Sequence, residues 1–227
     1  MRYYPAFLDL THARCLVVGY GGVGRRKLAT LLEASPASVL VLDPSGRATH
    51  PEDAQRLLDA PQVVYASRSF EERDLDDVFL CTAATPSLEE NGRIARLCRD
   101  RGVLCNVADD PDAGSFIVPS HVELEGLTVA LSTGGQSPAL ARRLRRDLES
   151  YLAGYGALST LLGRLRPRVL ALGMETPVNT AIFRGLVESN LKDALAAADH
   201  EKACGILRAH LPDALHPVLE DLLHDLV

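Results

Sequence analysis

Several features that would mark a special class of protein are missing from this sequence. It contains no tryptophan, and aromatic residues make up only 5% of its 227 residues. No apolar run approaches the ~20 residues that a helix needs to cross a bilayer. The first ten residues, MRYYPAFLDL, have neither the apolar stretch nor the small-residue cleavage site of a signal peptide. We therefore expect a cytoplasmic protein that has no membrane partner.

An excess of basic residues is also missing. The chain has 24 Lys and Arg residues against 30 Asp and Glu residues, which gives a net charge of −6. Proteins that bind nucleic-acid backbones normally carry an excess of positive charge. The sequence therefore argues against a nucleic-acid partner, and any anionic ligand must be met by local positive charge.

Metal-binding and redox motifs are absent as well. The five cysteines form no C-x-x-C pair, and the histidines form no H-E-x-x-H pattern. The sequence consequently predicts no metal site and no redox disulfide. Cys15, Cys81 and Cys105 each lie in a short apolar run, so we predict that they are small core residues.

Up to about residue 113, apolar runs of strand length alternate with helical patterns. Unbroken apolar strands are typical of a parallel sheet that helices cover on both faces. Repeated βαβ units of this kind predict an α/β fold with a Rossmann-type, doubly wound parallel sheet. The predicted strands are 15–18, 39–42, 63–65, 78–81 and 103–106. The predicted helices are 23–34, 52–60 and 87–101, the last one capped by Thr85.

The pattern changes after residue 113. The segment FIVPSHVELEGLTVALS predicts a short strand followed by a hairpin that turns near Gly126. Ser137 and Pro138 then begin a helix in which every fourth residue is leucine, namely Leu140, Leu144, Leu148 and Leu152. From about residue 156 onward the sequence predicts helices separated at Pro167, at Thr176-Pro177 and at Pro212. We thus expect a Rossmann-type α/β domain over 1–113, a small α+β domain over 114–155 and a helical domain over 156–227.

The glycine cluster CLVVGYGGVG, residues 15–24, fits the pattern G-x-G-x-x-G. It follows a predicted strand and opens a predicted helix, which is the context of a dinucleotide-binding loop. In such a loop the first glycine permits a tight turn, the second lets the backbone approach a pyrophosphate, and the third allows close packing of helix on strand. The alternative is a plain glycine turn between two ordinary elements.

Asp43 stands at the end of the next predicted strand, near the ~20-residue offset at which an acidic residue bonds a ribose 2′-hydroxyl. A carboxylate there would repel a 2′-phosphate, so the sequence favours NAD over NADP. An Asp before Pro44 is also a common start of a turn, which is the alternative interpretation. The predicted cofactor-binding residues are Gly19, Gly21, Gly22, Val23, Gly24, Asp43 and Pro44.

Four further stretches carry a family resemblance: YYPAFLDL near the start, NVADDP at 106–111, SFIVPS at 115–120 and STGGQSPALARRLR at 132–145. In this order, over residues 1–152, they resemble the precorrin-2 dehydrogenase/sirohydrochlorin ferrochelatase family, the N-terminal module of siroheme synthase. The helical remainder of the chain has no matching counterpart in that resemblance.

The resemblance implies an NAD-dependent oxidation of the tetrapyrrole precorrin-2 to sirohydrochlorin, in a homodimer that forms through the middle domain. Some members of the family also insert Fe²⁺ into the product. The residues carried over are shared by members with and without that activity, so iron insertion stays open. The family's catalytic aspartate falls on Asp109, where a carboxylate would act as general base. Asp110 is the neighbouring candidate, and a simple Asp-Asp-Pro turn is the structural alternative.

The substrate implied by the resemblance carries several carboxylate arms. Thr133 occupies a position where the family has Ser or Thr. Gly134 and Gly135 leave backbone N–H groups unobstructed before a helix, which suits a carboxylate. Among the arginines of the following helix we predict that Arg142 binds substrate, although a solvated helix face is the alternative.

Two other functions fit the glycine cluster. One is a binding module that senses NAD and regulates a partner. The other is an NAD-dependent dehydrogenase of a different metabolite. Neither explains why NVADDP is followed by STGGQSPALARR.

Overall fold

The computed structural model describes residues 2–226, and the chain divides into two compact units between Val118 and Pro119. The first unit is an α/β sandwich, and the second combines a hairpin with helices.

The first unit is built on a five-stranded parallel sheet with strand order β3-β2-β1-β4-β5. Its strands are β1 (Arg14–Val18), β2 (Ser38–Leu42), β3 (Val63–Ala66), β4 (Leu80–Ala83) and β5 (Leu104–Val107). Its helices are α1 (Gly22–Glu33), α2 (Glu52–Leu57) and α3 (Leu88–Asp100). The chain reverses its winding direction between β1 and β4, and ligands of such sheets bind outside the carboxyl ends of the strands at this switch point.

The central strands are apolar because both of their faces are covered. Cys15, Leu16 and Val17 of β1 are completely buried, and the side chains of β1 divide between two hydrophobic clusters. The predicted doubly wound parallel sheet is therefore confirmed. The predicted burial of Cys81 and Cys105 is confirmed too, since both thiols lie in the core.

Two local predictions in this unit are wrong. The strand predicted at 78–81 begins at Leu80, because the Val78 N–H closes a turn onto the Leu75 carbonyl instead of joining the sheet. The cap of α3 is Ser87, not Thr85, since the Ser87 hydroxyl accepts the Glu90 N–H at 3.2 Å. Thr85 instead bonds the Asn91 side chain and shapes the loop that precedes the helix.

The second unit begins with an antiparallel hairpin of β6 (Ser120–Leu124) and β7 (Leu127–Leu131), whose turn has Gly126 at φ +70°. The extra strand predicted just before this hairpin is wrong, because residues 116–118 pair with no strand among the described residues. The helices that follow are α4 (Pro138–Tyr151), α5 (Tyr155–Ala171), α6 (Thr176–Glu188), α7 (Leu191–Ala196), α8 (His200–His210) and α9 (Leu219–Leu223).

Leucine supplies most of the core of the helical region, and α5 runs through it. Leu158, Leu161, Leu165 and Val169 place one continuous buried face along this helix. The prediction that Pro167 separates two helices is wrong, because α5 continues through it to Ala171. Burial of the apolar face of α5 outweighs the loss of one backbone hydrogen bond at Pro167. No helix in the described part of the chain is long and apolar enough to cross a membrane.

Hydrogen bonds connect the hairpin to α5, although the sequence predicts a domain boundary between them at 155/156. The hydroxyls of Ser159 and Thr160 on α5 donate to the carbonyls of Gly126 (2.9 Å) and Glu125 (3.0 Å) in the hairpin turn. Residues 119–227 cluster as one unit. A functional division at 155/156 stays a prediction.

Candidate active site

The glycine loop between β1 and α1 has the geometry that its motif predicts. Gly19 has φ +92°, a backbone conformation that a side chain would strain. A Cβ built on Gly19 would lie 2.4 Å from the Ala84 carbonyl oxygen. The loop after β1 therefore passes directly against the loop after β4, at the switch point of the sheet.

Gly24 and Gly21 are glycine for different reasons. A Cβ on Gly24 would lie 1.9 Å from the Gly19 carbonyl oxygen, so this glycine allows α1 to pack on its own loop. A Cβ on Gly21 would meet no heavy atom of the described chain within 4 Å. Space is thus left beside Gly21 where a pyrophosphate could approach the backbone, as the second glycine of such a loop requires.

The N-terminus of α1 faces this space. The helix begins at Gly22 after Gly21, and no side chain of the described residues caps it. Its first turn also carries no acidic residue. The backbone N–H groups at Gly22 and Val23 and the positive end of the helix dipole are consequently available to an anion.

Asp43 lies directly after β2 and reaches back to the glycine loop. Its Oδ2 accepts the Tyr20 N–H at 2.5 Å, and its Oδ1 accepts the Ser45 N–H at 2.8 Å. Burial raises the pKa of this carboxyl, but the hydrogen bonds from Tyr20 and Ser45 together with the nearby His50 outweigh burial and leave the pKa below its usual value. Asp43 is therefore a fixed negative charge at the position expected for a ribose-binding acid. Its neighbour Pro44 accepts a bond from the Ser67 hydroxyl at 3.4 Å.

Tyr20 is a residue of this loop that the sequence analysis did not single out. Its ring is completely buried, and its hydroxyl donates to the Ala54 carbonyl at 2.7 Å. The ring also packs edge-on against His50, with centroids 5.0 Å apart. Burial raises the pKa of Tyr20 to about 12, so the phenol stays neutral. Because Tyr20 is anchored to α2, it holds the backbone N–H that orients Asp43.

Asp109 follows β5 at the carboxyl edge of the same sheet. It has φ +62° and an exposed side chain. Left-handed backbone is uncommon for a residue with a side chain, and such positions cluster at functional sites. Ser115 closes the base of this loop through two hydrogen bonds to Cys105. The Ser115 hydroxyl accepts the Cys105 N–H at 2.8 Å, and the Ser115 N–H donates to the Cys105 carbonyl at 2.8 Å. Asp110 serves the turn itself, because its Oδ1 accepts the N–H groups of Asp112 and Ala113.

Lys27 on α1 is a second residue that the sequence analysis missed. Burial lowers the pKa of its ammonium, Arg26 lowers it further, and the negative charge of Asp109 opposes both effects. Lys27 and Asp109 therefore interact across the carboxyl edge of the sheet. A long side chain on a helix face gives no pattern in the sequence that could have identified this pairing.

The residues predicted to bind substrate belong to the second unit. The Thr133 hydroxyl accepts the Ser137 N–H at 3.2 Å, which links the loop to the start of α4. Gly134 and Gly135 have φ +63° and +84°, and no described atom lies within 4 Å of a Cβ built on either. Ser137 caps α4 by accepting the Leu140 N–H, as predicted. The Gly134 N–H already donates to the Ser132 hydroxyl at 3.1 Å, so of the two glycines only Gly135 keeps a backbone N–H without a partner among the described residues, where a carboxylate could bind.

The arginines of α4 differ in how they are paired. Arg143 bonds both carboxylate oxygens of Asp147 at 2.9 Å, and Arg145 contacts Glu149 at 3.4 Å. Arg142 bonds only the Pro138 carbonyl (3.3 Å) and forms no ion pair with a described carboxylate. Its exposed guanidinium therefore keeps donors for an external anion.

Comparison with known proteins matches both parts of the chain. Residues 6–120 match a family described as "Putative NAD(P)-binding", and residues 125–151 match one described as "Sirohaem biosynthesis protein central". Proteins named siroheme synthase from Nitrosococcus oceani and Thioalkalivibrio sulfidiphilus are 34% and 35% identical, over 96% and 95% of this chain. The chain spans 46% and 43% of the length of these two relatives.

One solved structure shares the fold over most of the chain. It is named "SirC, precorrin-2 dehydrogenase", and it superimposes with a TM-score of 0.71 at 21% identity. The match covers 91% of this chain and 98% of the other. The combination of a doubly wound sheet, a small antiparallel hairpin and a helical C-terminal part is therefore a known arrangement.

Proposed function

This chain belongs to the siroheme synthase N-terminal module family, and on that premise we propose that it catalyses the NAD-dependent dehydrogenation of precorrin-2 to sirohydrochlorin. The observation that carries the proposal is the switch-point site of the first unit. An open Gly21, an uncapped helix start and an ionised Asp43 meet there. These residues fit a dinucleotide with an unphosphorylated ribose.

The pyrophosphate and one ribose of the dinucleotide have candidate partners. Gly21, Gly22 and Val23 would hold the pyrophosphate through backbone N–H groups, while Gly19 and Gly24 give the loop its shape. Asp43 would accept hydrogen bonds from the ribose hydroxyls. When bound, NAD supplies the acceptor for a hydride from the substrate.

The oxidation also releases a proton, and we assign its removal to Asp109. Precorrin-2 gives up two electrons and one proton as a hydride, and the second proton goes to the Asp109 carboxylate and from there to water. Its exposed side chain at the carboxyl edge of the sheet suits a general base, and the Lys27 ammonium balances its charge before proton transfer. Asp110 is the weaker candidate, because its carboxylate already caps the loop.

The carboxylate arms of the substrate are assigned to the second unit. The loop of Thr133, Gly134 and Gly135 has open space beside both glycines and keeps the Gly135 N–H for a carboxylate, and Arg142 offers a guanidinium without an ion-pair partner among the described residues. Insertion of Fe²⁺ into sirohydrochlorin is a separate activity, which adding Fe²⁺ to the chain together with sirohydrochlorin tests.

We also propose that two copies of the chain associate through α4. This helix has no buried residue, although leucine recurs at every fourth position along it. Leu140 is 49% exposed and Tyr151 is 68% exposed. A second copy of the same helix would cover these apolar side chains.

The test is to mix the purified chain with NAD and precorrin-2 and to record spectra over time. The proposal predicts the absorbance of NADH together with the spectrum of sirohydrochlorin. Tight binding of NAD without either change would favour an NAD-sensing module. Reduction of NAD by another metabolite, but not by precorrin-2, would favour a different dehydrogenase.

A further inference from the structure

A histidine, a cysteine and a glutamate converge in the helical region, and none of them has a role assigned above. His200 is the first residue of α8, Cys204 lies one turn later, and Glu220 is on α9. His200 Nδ1 lies 3.9 Å from Cys204 Sγ, and Cys204 Sγ lies 3.9 Å from Glu220 Oε1. His200 Nε2 lies 2.9 Å from Glu220 Oε2. One ligand atom of each residue lies within 4.8 Å of the other two.

The separations are close to those of a tetrahedral metal site. Zinc bonds of about 2.3 Å to sulfur and 2.0 Å to nitrogen or oxygen place neighbouring ligand atoms roughly 3.5 Å apart. The two distances to the Cys204 sulfur are 3.9 Å. His200 faces Cys204 with Nδ1 and Glu220 with Nε2, so the imidazole has to turn until one nitrogen serves as the metal ligand. The spacing of His200 and Cys204 puts both on one face of the helix.

The same three residue types also occur in nucleophilic triads, but this arrangement does not fit one. In a triad the carboxylate orients the histidine and stays away from the nucleophile. Here Glu220 contacts both partners, one with each oxygen. The Cys204 side is also closed to a substrate, since that residue is only 3% exposed.

Charge and access favour a divalent cation. A thiolate and a carboxylate together carry two negative charges, which a divalent ion neutralises. The side chains of His200 and Glu220 are 45% and 71% exposed, so an ion can enter from solvent and keep a water as its fourth ligand. Thiolate, imidazole and carboxylate form a mixed donor set of intermediate softness, which suits Zn²⁺.

We propose that His200, Cys204 and Glu220 form a Zn²⁺ site that fastens α9 to α8. The buried leucines of α9, Leu219, Leu222 and Leu223, belong to the same hydrophobic cluster as Ala203 and Leu207 of α8. A metal at the rim of this cluster would stabilise the packing of the last helix, because it binds the folded arrangement only. The site is independent of the dinucleotide loop and of Asp109.

Cobalt(II) is the probe, because it reports its ligands by absorbance. Metal-free full-length protein titrated with Co²⁺ is expected to show the visible bands of a four-coordinate ion and a thiolate-to-cobalt charge-transfer band, both removed by added Zn²⁺. Cys204→Ala should abolish the charge-transfer band. Glu220→Gln should weaken Co²⁺ binding by at least about tenfold. His224→Gln is the matched control, since His224 pairs with Asp225 at 2.8 Å without a thiol nearby and should bind as the wild type does.

Absence of both bands in the wild type would overturn the proposal. A charge-transfer band that persists in Cys204→Ala would also overturn it, and would direct attention to the buried thiols of Cys81, Cys98 and Cys105, which lie within 4.8 Å of one another. Thermal unfolding keeps the test decisive if Cys204→Ala fails to fold. Zn²⁺ should raise the Tm of wild type and His224→Gln by more than that of Glu220→Gln, because weaker binding stabilises the fold less, and an equal rise in all three would contradict the site.

Discussion

The Asp43 carboxylate accepts the backbone N–H of Tyr20 at 2.5 Å, which joins the end of β2 to the glycine loop after β1. Two segments that lie 23 residues apart in sequence thereby form one rigid edge of the candidate dinucleotide site. The bond also keeps Asp43 ionised, which matters for the choice of cofactor.

Replacing Asp43 should change cofactor preference. Asp43→Asn keeps the size of the side chain and removes its charge, so the dissociation constant for NAD should rise about tenfold or more, the equivalent of one strong charged hydrogen bond. Binding of NADP should improve relative to NAD, because the repulsion of a 2′-phosphate is gone. Titration calorimetry with both cofactors measures this, with Asp76→Asn as a control at an exposed carboxylate paired to Arg101. An unchanged preference would contradict the ribose assignment.

Two glycines of the loop should respond differently to the same substitution. Gly21→Ala adds a methyl group into open space at φ −70°, so the free energy of unfolding should change by less than about 0.5 kcal/mol, while affinity for NAD falls about tenfold or more. Gly24→Ala drives its methyl group into the Gly19 carbonyl and should cost about 1–3 kcal/mol of stability. Urea unfolding and NAD titration of both variants make the comparison. Equal loss of stability in the two would mean that the space beside Gly21 is not a ligand cradle.

Much of the first unit can be predicted from the sequence, because its strands and its glycine loop are marked by residues that are close together in the chain. Apolar runs identify the strands, and glycine spacing identifies the loop and the helix start. The sequence predicts that the fourth strand begins at Val78, but Val78 belongs to a turn and the strand is Leu80–Ala83. Apolar character alone does not distinguish a turn residue from a strand residue. The predicted break at Pro167 fails because tertiary packing of the buried face of α5 overrides the local preference of proline.

Some residues of the candidate sites could not be predicted, because their roles depend on residues that are distant in sequence. The role of Tyr20 depends on its hydrogen bond to α2, and that of Lys27 depends on the charge of Asp109 in the loop after β5. The ligand set of His200, Cys204 and Glu220 is invisible to a motif search, since Glu220 lies on a different helix from the other two. The prediction of no metal site rests only on the spacing of cysteines and histidines that are close in sequence.

Part of the loss of stability in acid should come from Asp74. Both of its oxygens bond the Arg68 guanidinium, at 2.6 and 2.8 Å, and this pairing together with the Glu71 N–H holds the pKa of Asp74 below its usual value against the effect of burial. A carboxyl whose pKa is lowered by folding stabilises the protein above its unfolded pKa of about 3.9, and that stabilisation is lost as the pH falls through the lowered folded value.

Asp74→Asn should thus cost about 1–3 kcal/mol at neutral pH, a range that allows for the partial exposure of Arg68. The difference from wild type should shrink below about pH 4. Denaturant titrations at a series of pH values measure both curves. A difference that stays constant into the acid range would show that the ion pair is not its source.

The association proposed for α4 has a direct test. Leu140→Asp introduces a charge at a half-exposed position, so each chain should still fold while the dimer dissociates. Leu170→Asp on α5 is the matched control, since Leu170 is 53% exposed and lies outside the proposed interface. Sedimentation equilibrium should give a dimer for wild type and Leu170→Asp and a monomer for Leu140→Asp. A monomeric wild type would reject the interface.

The role of Asp109 is tested most directly by turnover of precorrin-2 in the presence of saturating NAD. Asparagine tolerates the left-handed backbone at this position, so Asp109→Asn should fold and bind NAD as the wild type does. The account predicts that its turnover falls about 100- to 10,000-fold, the usual contribution of a general base, while Asp110→Asn remains active. Wild-type turnover in Asp109→Asn, or loss of turnover in Asp110→Asn alone, would contradict the account.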